Sequence, residues 1–212
     1  MKINLLFIIF SFSIFAQELP QISDTLSSFK EKKIHDSGVY SSFQFPYKSD
    51  LLLTPQAWIH FKKIYFEARY NYEAINTFSL YCGRSFLLGK NEGLEIIPGL
   101  GGSLGIFNGV SPYLGVNLGF NKITLFSQNQ YSINTSCRDG DFFFSWSAIM
   151  YNAYKSVHFG VSEQVFVPVN GNAIINYGPM LSLVNDPFSI EFYAYNFWDN
   201  NSMWAVGLQV LF

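Results

Sequence analysis

Apolar and polar residues alternate with a period of two along most of this chain. A strand turns successive side chains to opposite faces, so the pattern predicts β-strands. Residues 63–74 are the clearest case. There Ile64, Phe66, Ala68, Tyr70 and Tyr72 form one stripe, and Tyr65, Glu67, Arg69, Asn71 and Glu73 form the other. The alternation returns as Phe78, Leu80 and Cys82 against Thr77, Ser79, Tyr81, Gly83 and Ser85. It returns again as Leu114, Val116, Leu118 and Phe120 against Tyr113, Gly115, Asn117 and Gly119. Val157, Phe159, Val161, Val165 and Val167 oppose His158, Gly160, Ser162 and Gln164, with Glu163 a misfit on the apolar side. Phe188, Ile190, Phe192 and Ala194 oppose Ser189, Glu191, Tyr193 and Tyr195.

Turn residues fall between these segments in two alternating sets. One set is residues 62–63, 89–93, 121–122, 155–156 and 185–187; the other is 47–50, 74–76, 107–109, 134–141, 170–172 and 199–201. Strands of roughly ten residues joined this way predict an all-β, antiparallel up-and-down barrel with short loops at both ends. The count comes to 12 strands with 10 as the alternative, residues 39–46 being the weakest. Pro98, Pro112 and Pro179 interrupt segments and imply bulges or strand ends.

Composition says what surrounds such a barrel. Charged residues are 13% of the chain, against roughly 25% in an ordinary soluble domain. Aromatics reach 19%. A soluble barrel of this length needs a charged outer face, and this chain has too few charges to make one. A closed barrel in lipid satisfies its backbone polar groups without them. A net charge of −2 gives a nucleic-acid partner no electrostatic support. Cys82 falls mid-strand and Cys137 in an outer loop, too far apart to pair and without the spacing of a metal site. No cofactor is expected.

The two ends of the chain add a location. Lys2 precedes a mostly apolar stretch, residues 4–15, and Ala16 offers a small residue for cleavage before Gln17. Residues 1–16 read as a secretory signal peptide, too short to span a membrane as a helix. Residues 17–37, with Lys30, Glu31, Lys32 and Lys33 in a run, read as a polar periplasmic lead-in, and residues 38–212 as the barrel. In the last segment Trp204, Val206, Leu208, Val210 and Phe212 share one face, with Ala205, Gly207 and Gln209 on the other. This terminal strand, ending in Phe, resembles the assembly signal of bacterial outer-membrane β-barrel proteins. The resemblance implies export to the outer membrane, contact with its lipid, and recognition by the barrel-assembly machinery through Trp204, Leu208, Val210 and Phe212.

The inward face is where chemistry would lie. The polar parity carries Glu67, Arg69, Glu73, Tyr81, Glu95 and Glu191, together with Gln56, His60, Gln128, Gln130, His158, Gln164 and Gln209. A two-residue turn at 62–63 pairs Trp58 with Glu67 and Gln56 with Arg69. A three-residue turn at 74–76 pairs Arg69 with Tyr81, and a turn near Asn200 pairs Glu191 with Gln209. Arg69 then centres an interior hydrogen-bond and ion-pair cluster, which Glu67 or another glutamate neutralises. Such a cluster either braces a narrow barrel or forms a constriction that sets ion preference. Gly99, Gly101, Gly105, Gly115 and Gly119 leave a thin inner wall, as a cavity or as room for bulky groups such as Tyr65, Tyr81, Tyr193 and Phe126.

Small outer-membrane barrels include hydrolases, which need a serine activated by a positioned base. His35 lies in the lead-in and His60 near a strand end. His158 is roughly 13 Å from Ser162 at 3.3 Å per residue. None fits a hydrolase arrangement, so a non-enzyme is expected. The size and short loops resemble compact 12-stranded channels for small anionic solutes, whose lumens are basic. More Glu than Arg inside this one points to cations or neutral solutes. The leading expectation is a narrow pore for ions or small polar solutes. The alternative is a closed structural or interaction barrel with a plugged polar lumen. A secreted soluble barrel is disfavoured by the low charge.

Overall fold

The computed structural model describes residues 37–89, 93–136 and 140–212. The signal peptide, the lead-in up to residue 36 with Lys30 to Lys33 and His35, and Cys137 lie outside the described residues, while Ser37 opens the first strand. Thirteen strand segments follow one another: β1 (Ser37–Pro46), β2 (Leu52–Phe61), β3 (Ile64–Tyr70), β4 (Thr77–Arg84), β5 (Phe86–Leu88), β6 (Leu94–Gly105), β7 (Gly109–Phe120), β8 (Ile123–Asn134), β9 (Phe142–Tyr154), β10 (Val157–Pro168), β11 (Ile174–Asn185), β12 (Phe188–Tyr195) and β13 (Met203–Leu211). Both β4 and β5 pair with β6, so they are two parts of one barrel strand broken at Ser85. The barrel therefore has 12 strands, each antiparallel to its neighbours.

The sheet closes where β1 meets β13, from Gly38 opposite Leu211 to Pro46 opposite Met203. The backbone N–H of Phe212 adds a hydrogen bond to Ser37 O at 3.0 Å. Closure leaves no free edge, which an exposed sheet in lipid could not tolerate. The weakest sequence segment thus forms a full strand, because its long-range partner supplies what its own alternation lacks.

The burial pattern is inverted relative to a water-soluble protein. Leu80, Phe66, Ile190 and Trp204 are exposed on the outer wall, whereas Arg69, Thr77, Ser79 and Ser111 are buried in the lumen. Trp204 and Leu208 face outward from β13, and Ala205 and Gly207 inward, as the alternation predicts. Cys82 is likewise exposed on the outer wall.

Three expectations change. First, Arg69 faces Ser79, and Tyr81 faces Glu67. The loop after β3 takes six residues rather than three. Asn71 and Asn76 both adopt left-handed φ, and Asn76 N–H donates to Asn71 Oδ1 at 2.7 Å. Asn tolerates that region better than other side chains, and it ends the strand there. Tyr72 consequently leaves the outward stripe and turns over the lumen. Second, Glu191 pairs with Gly207 and Gln209 with Ser189. The loop there begins at Asn196, also left-handed, and so is longer than a turn centred on Asn200. Third, Pro98, Pro112 and Pro179 sit inside strands without shifting the register. Each pairs on one side, with Leu114, Leu100 and Val161, and leaves a gap on the other. A missing N–H opens the ladder over two consecutive pairs and leaves the register on either side unchanged. The register shift in β10 falls between Val157 and His158 instead.

Candidate functional site

Arg69 is the centre of the lumen. Strand β3 aims it inward between Tyr65 and Glu67 below it and the descending loop 71–76 above. Its Nε donates to Glu67 Oε1 at 2.7 Å and its Nη2 to Glu67 Oε2 at 3.0 Å. This is a bidentate fork, the strongest geometry a guanidinium makes with a carboxylate. Nη1 donates to Gln130 Oε1 across the lumen at 2.6 Å and lies 3.9 Å from Glu73 Oε1. The guanidinium carbon stands 4.4 Å from the Tyr72 ring centre, 4.2 Å from Tyr81 and 5.3 Å from Tyr113. Both Arg69 and Glu67 side chains are 0% exposed.

The shell around this pair is saturated. Tyr65 OH donates to Glu67 Oε2 at 2.7 Å, and Tyr81 OH donates to Glu73 Oε1 at 2.7 Å. Ser79 donates to Glu73, and Gln130 Nε2 donates to Ser132 Oγ at 3.2 Å. Tyr72 OH donates to Gln128 Oε1 at 3.1 Å. Six residues of the predicted polar stripe, Glu67, Arg69, Glu73, Tyr81, Gln128 and Gln130, therefore converge. Tyr72 and Tyr113 join them although the alternation does not single them out. Tyr113 belongs to the inward stripe, but nothing marks it from other tyrosines. Tyr72 is hidden by the apparent continuation of the β3 alternation past Asn71.

The other candidates occupy different levels. Glu95 lies towards the end of the barrel that carries the two-residue turns. It accepts from Ser85 Oγ at 2.5 Å and Asn117 Nδ2 at 2.9 Å, and its Oε1 is 3.3 Å from His60 Nε2. Gln209 accepts from Ser189 Oγ at 3.0 Å at the same end. His158 stands there too, opposite Asn152 and Ser182. Glu191 lies deeper and accepts from Tyr193 OH at 2.5 Å. Ser162 is engaged by Trp146 Nε1 at 3.1 Å and meets Tyr195 OH at 2.9 Å. Among the described residues, no three His, Cys, Asp or Glu side chains gather where a metal ion could be held.

The thin wall of glycines gives room to rings. A Cβ on Gly101 would collide with the Tyr81 ring, and one on Gly115 would sit 2.7 Å from Tyr113 OH. The free space of the lumen lies on the other side. A cavity of about 90 Å³ between Tyr40, Thr54, Tyr72, Trp146, Gln164 and Tyr193 reaches from the loop end towards Arg69. It has polar and aromatic walls and room for a few waters.

No protein-family model matches the chain, and no curated protein matches it in sequence. Solved structures match it in fold. A KdgM porin in complex with disordered oligogalacturonate aligns with a TM-score of 0.58 and 13% identity, covering 82% of this chain and 99% of that one. A NanC porin aligns at 0.57 and 12%, covering 83% and 98%. A further KdgM porin structure aligns at 0.57 and 14%, covering 82% and 99%. These neighbours share the small 12-stranded barrel from end to end, with little identity between the sequences that build it.

Proposed function

We propose that this protein is a narrow channel of the bacterial outer membrane for cations or small neutral polar solutes, with its constriction at Arg69. The observation that carries the reading is the Glu67–Arg69–Glu73 cluster, which is ionic, central and lumen-facing. Its charge balance supports the preference. Among the described residues, the lumen carries four carboxylates, from Glu67, Glu73, Glu95 and Glu191, against the one guanidinium of Arg69. Charged side chains at close quarters select ions by sign. An oligogalacturonate, the acidic sugar chain held by one structural neighbour, would meet repulsion here.

The outer wall supports the location. It is mostly apolar, and its terminal stripe, Trp204, Leu208, Val210 and Phe212, is the segment we assign to recognition by the assembly machinery. Export by a signal peptide ending at Ala16, followed by a periplasmic segment to residue 37, belongs to the same reading.

Single-channel recording in a planar bilayer under a salt gradient tests it. The wild-type chain should give small, discrete, cation-preferring steps. Arg69→Ala should enlarge the steps and strengthen the preference, because it removes the cation that closes the lumen. One observation favours a second reading, a closed structural barrel: Arg69 and Glu67 expose nothing of their side chains. Folded protein that stays silent, as wild type and as Arg69→Ala, would establish that reading in place of the channel.

A further inference from the structure

The outer wall has one polar island. On the outward faces of β8, β9 and β10 lie Ser127, Asn129, Ser145, Ser147 and Glu163. The register sets Ser127 opposite Ser147, Ser147 opposite Glu163, and Asn129 opposite Ser145. All lie away from the strand ends, so the island sits within the height of the apolar band. Its neighbours on the same face are apolar: Leu125, Tyr131, Phe143, Ile149, Val161 and Val165. Beside it, where Pro112 interrupts pairing to β8, a groove of about 230 Å³ opens on the wall between Pro112, Leu114, Asn129, Tyr131 and Phe143.

The island's own hydrogen bonds do not balance. Asn129 Nδ2 donates to Ser127 Oγ at 2.9 Å, and Ser145 Oγ donates to Asn129 Oδ1 at 2.9 Å. Ser127 and Ser147 hydroxyls share a single contact of 2.8 Å, which uses one of their two protons. The next oxygen, Ser145 Oγ, is 3.5 Å from Ser147 Oγ, at the limit of a hydrogen bond. One hydroxyl donor is therefore left with at most that long contact. The Glu163 carboxylate, exposed on the wall, makes no hydrogen bond or ion pair among the described residues, so an acceptor is in surplus too. Polar groups facing hydrocarbon without partners are costly.

We propose that this island is where two copies of the chain meet side by side in the membrane, about a two-fold axis along the membrane normal that runs between the outward faces of the two β9 strands. The inference rests on the reading that the outer wall faces lipid. A two-fold interface must be self-complementary, and this one is. Rotation about the axis carries Glu163 on β10 of each copy onto the hydroxyl and amide side, β8, of the other. With strands about 4.8 Å apart, the two Glu163 carboxylates stand roughly 10 Å from each other and do not clash. The same rotation brings the apolar shoulder of Val161 and Tyr177 on each copy against the partner's groove at Pro112. Depth favours a protein over a lipid headgroup as the occupant, because headgroups lie at the rims of the band.

Thiol cross-linking in intact outer membranes tests this. Ser147→Cys is placed in a full-length chain carrying Cys82→Ser and Cys137→Ser, and treated with a short bifunctional thiol reagent. The same is done with Ala57→Cys, exposed on the outward face of β2 on the opposite wall. Ser147→Cys should yield a species of twice the monomer mass, and Ala57→Cys should stay monomeric. Adding Glu163→Leu should lower the association constant about tenfold, the loss expected for hydrogen bonds to a charged group. Equal cross-linking at both sites, none at either, or a product with a different protein would overturn the proposal. Heat-dependent gel mobility checks that each variant is folded. Should a cysteine variant fail to fold, sedimentation of the wild type in detergent decides, a monomer overturning the proposal and a dimer upholding it. Absence of the wild type from the membrane fraction would instead defeat the outer-membrane reading, independently of any dimer.

Discussion

Arg69 concentrates most of the charge chemistry of the lumen on one guanidinium, and its neighbours are matched to it. Glu67 takes the fork, Gln130 takes the far nitrogen, and Tyr72 and Tyr81 cover the faces. Burying an ion pair is only weakly favourable in itself, but breaking one leaves an uncompensated charge. Arg69→Ala should therefore destabilise the folded barrel by about 3–5 kcal/mol, read from urea unfolding in lipid vesicles. Glu67→Gln should act in the same direction. The double variant should cost clearly less than the sum, since each change removes the other's burden. Additive effects would mean the two side chains do not depend on each other. The importance of Arg69 is legible in the sequence, because an arginine on an inward stripe must find a carboxylate. Its partners across the lumen are not, because Gln130 and Tyr113 arrive through pairings that no local spacing encodes.

At the scale of strands, alternation is a sufficient guide and loops are not. Nearly every stripe of β3, β4, β7, β10, β12 and β13 faces the side its polarity predicts. The departures are slips of two residues, at Arg69 and Glu191, where an asparagine with left-handed φ lengthens a loop. A two-residue slip preserves the face of every side chain, so alternation cannot detect it. The prolines are visible in the sequence, but their effect is smaller than a bulge or a strand end. A proline whose nitrogen faces a neighbouring strand removes two consecutive pairs and leaves the register alone. Pro112→Val should restore the missing pair with Tyr131 and stabilise the barrel by about 0.5–1.5 kcal/mol, the net worth of one hydrogen bond. Hydrogen exchange at the new amide of residue 112 measures it directly: protection like that of the flanking β7 amides is expected, and rapid exchange would mean the strands stay apart there.

The whole molecule is a protein turned inside out. Its interior holds Arg69, Glu67, Glu95 and a row of serines, and its exterior holds leucine, isoleucine and phenylalanine. In water that arrangement would leave a continuous apolar surface, which soluble monomers do not carry. In lipid it is the only arrangement that works, and it makes a sharp energetic forecast. Leu181 lies in the middle third of β11, between Phe159 and Phe192, and is 39% exposed. A charge there should cost about 2–4 kcal/mol if the wall faces the centre of a bilayer. If the wall faces water, Leu181→Arg should change stability by no more than about 0.5 kcal/mol, as surface substitutions do. Urea unfolding of the wild type and Leu181→Arg from vesicles, compared by midpoint at equal slope, separates the two cases. A large loss at this one outward position, on a side chain with no hydrogen bond or ion pair to lose and apolar cross-strand neighbours alone, would come chiefly from the solvent around the barrel. It would identify that solvent as hydrocarbon without reference to any other protein.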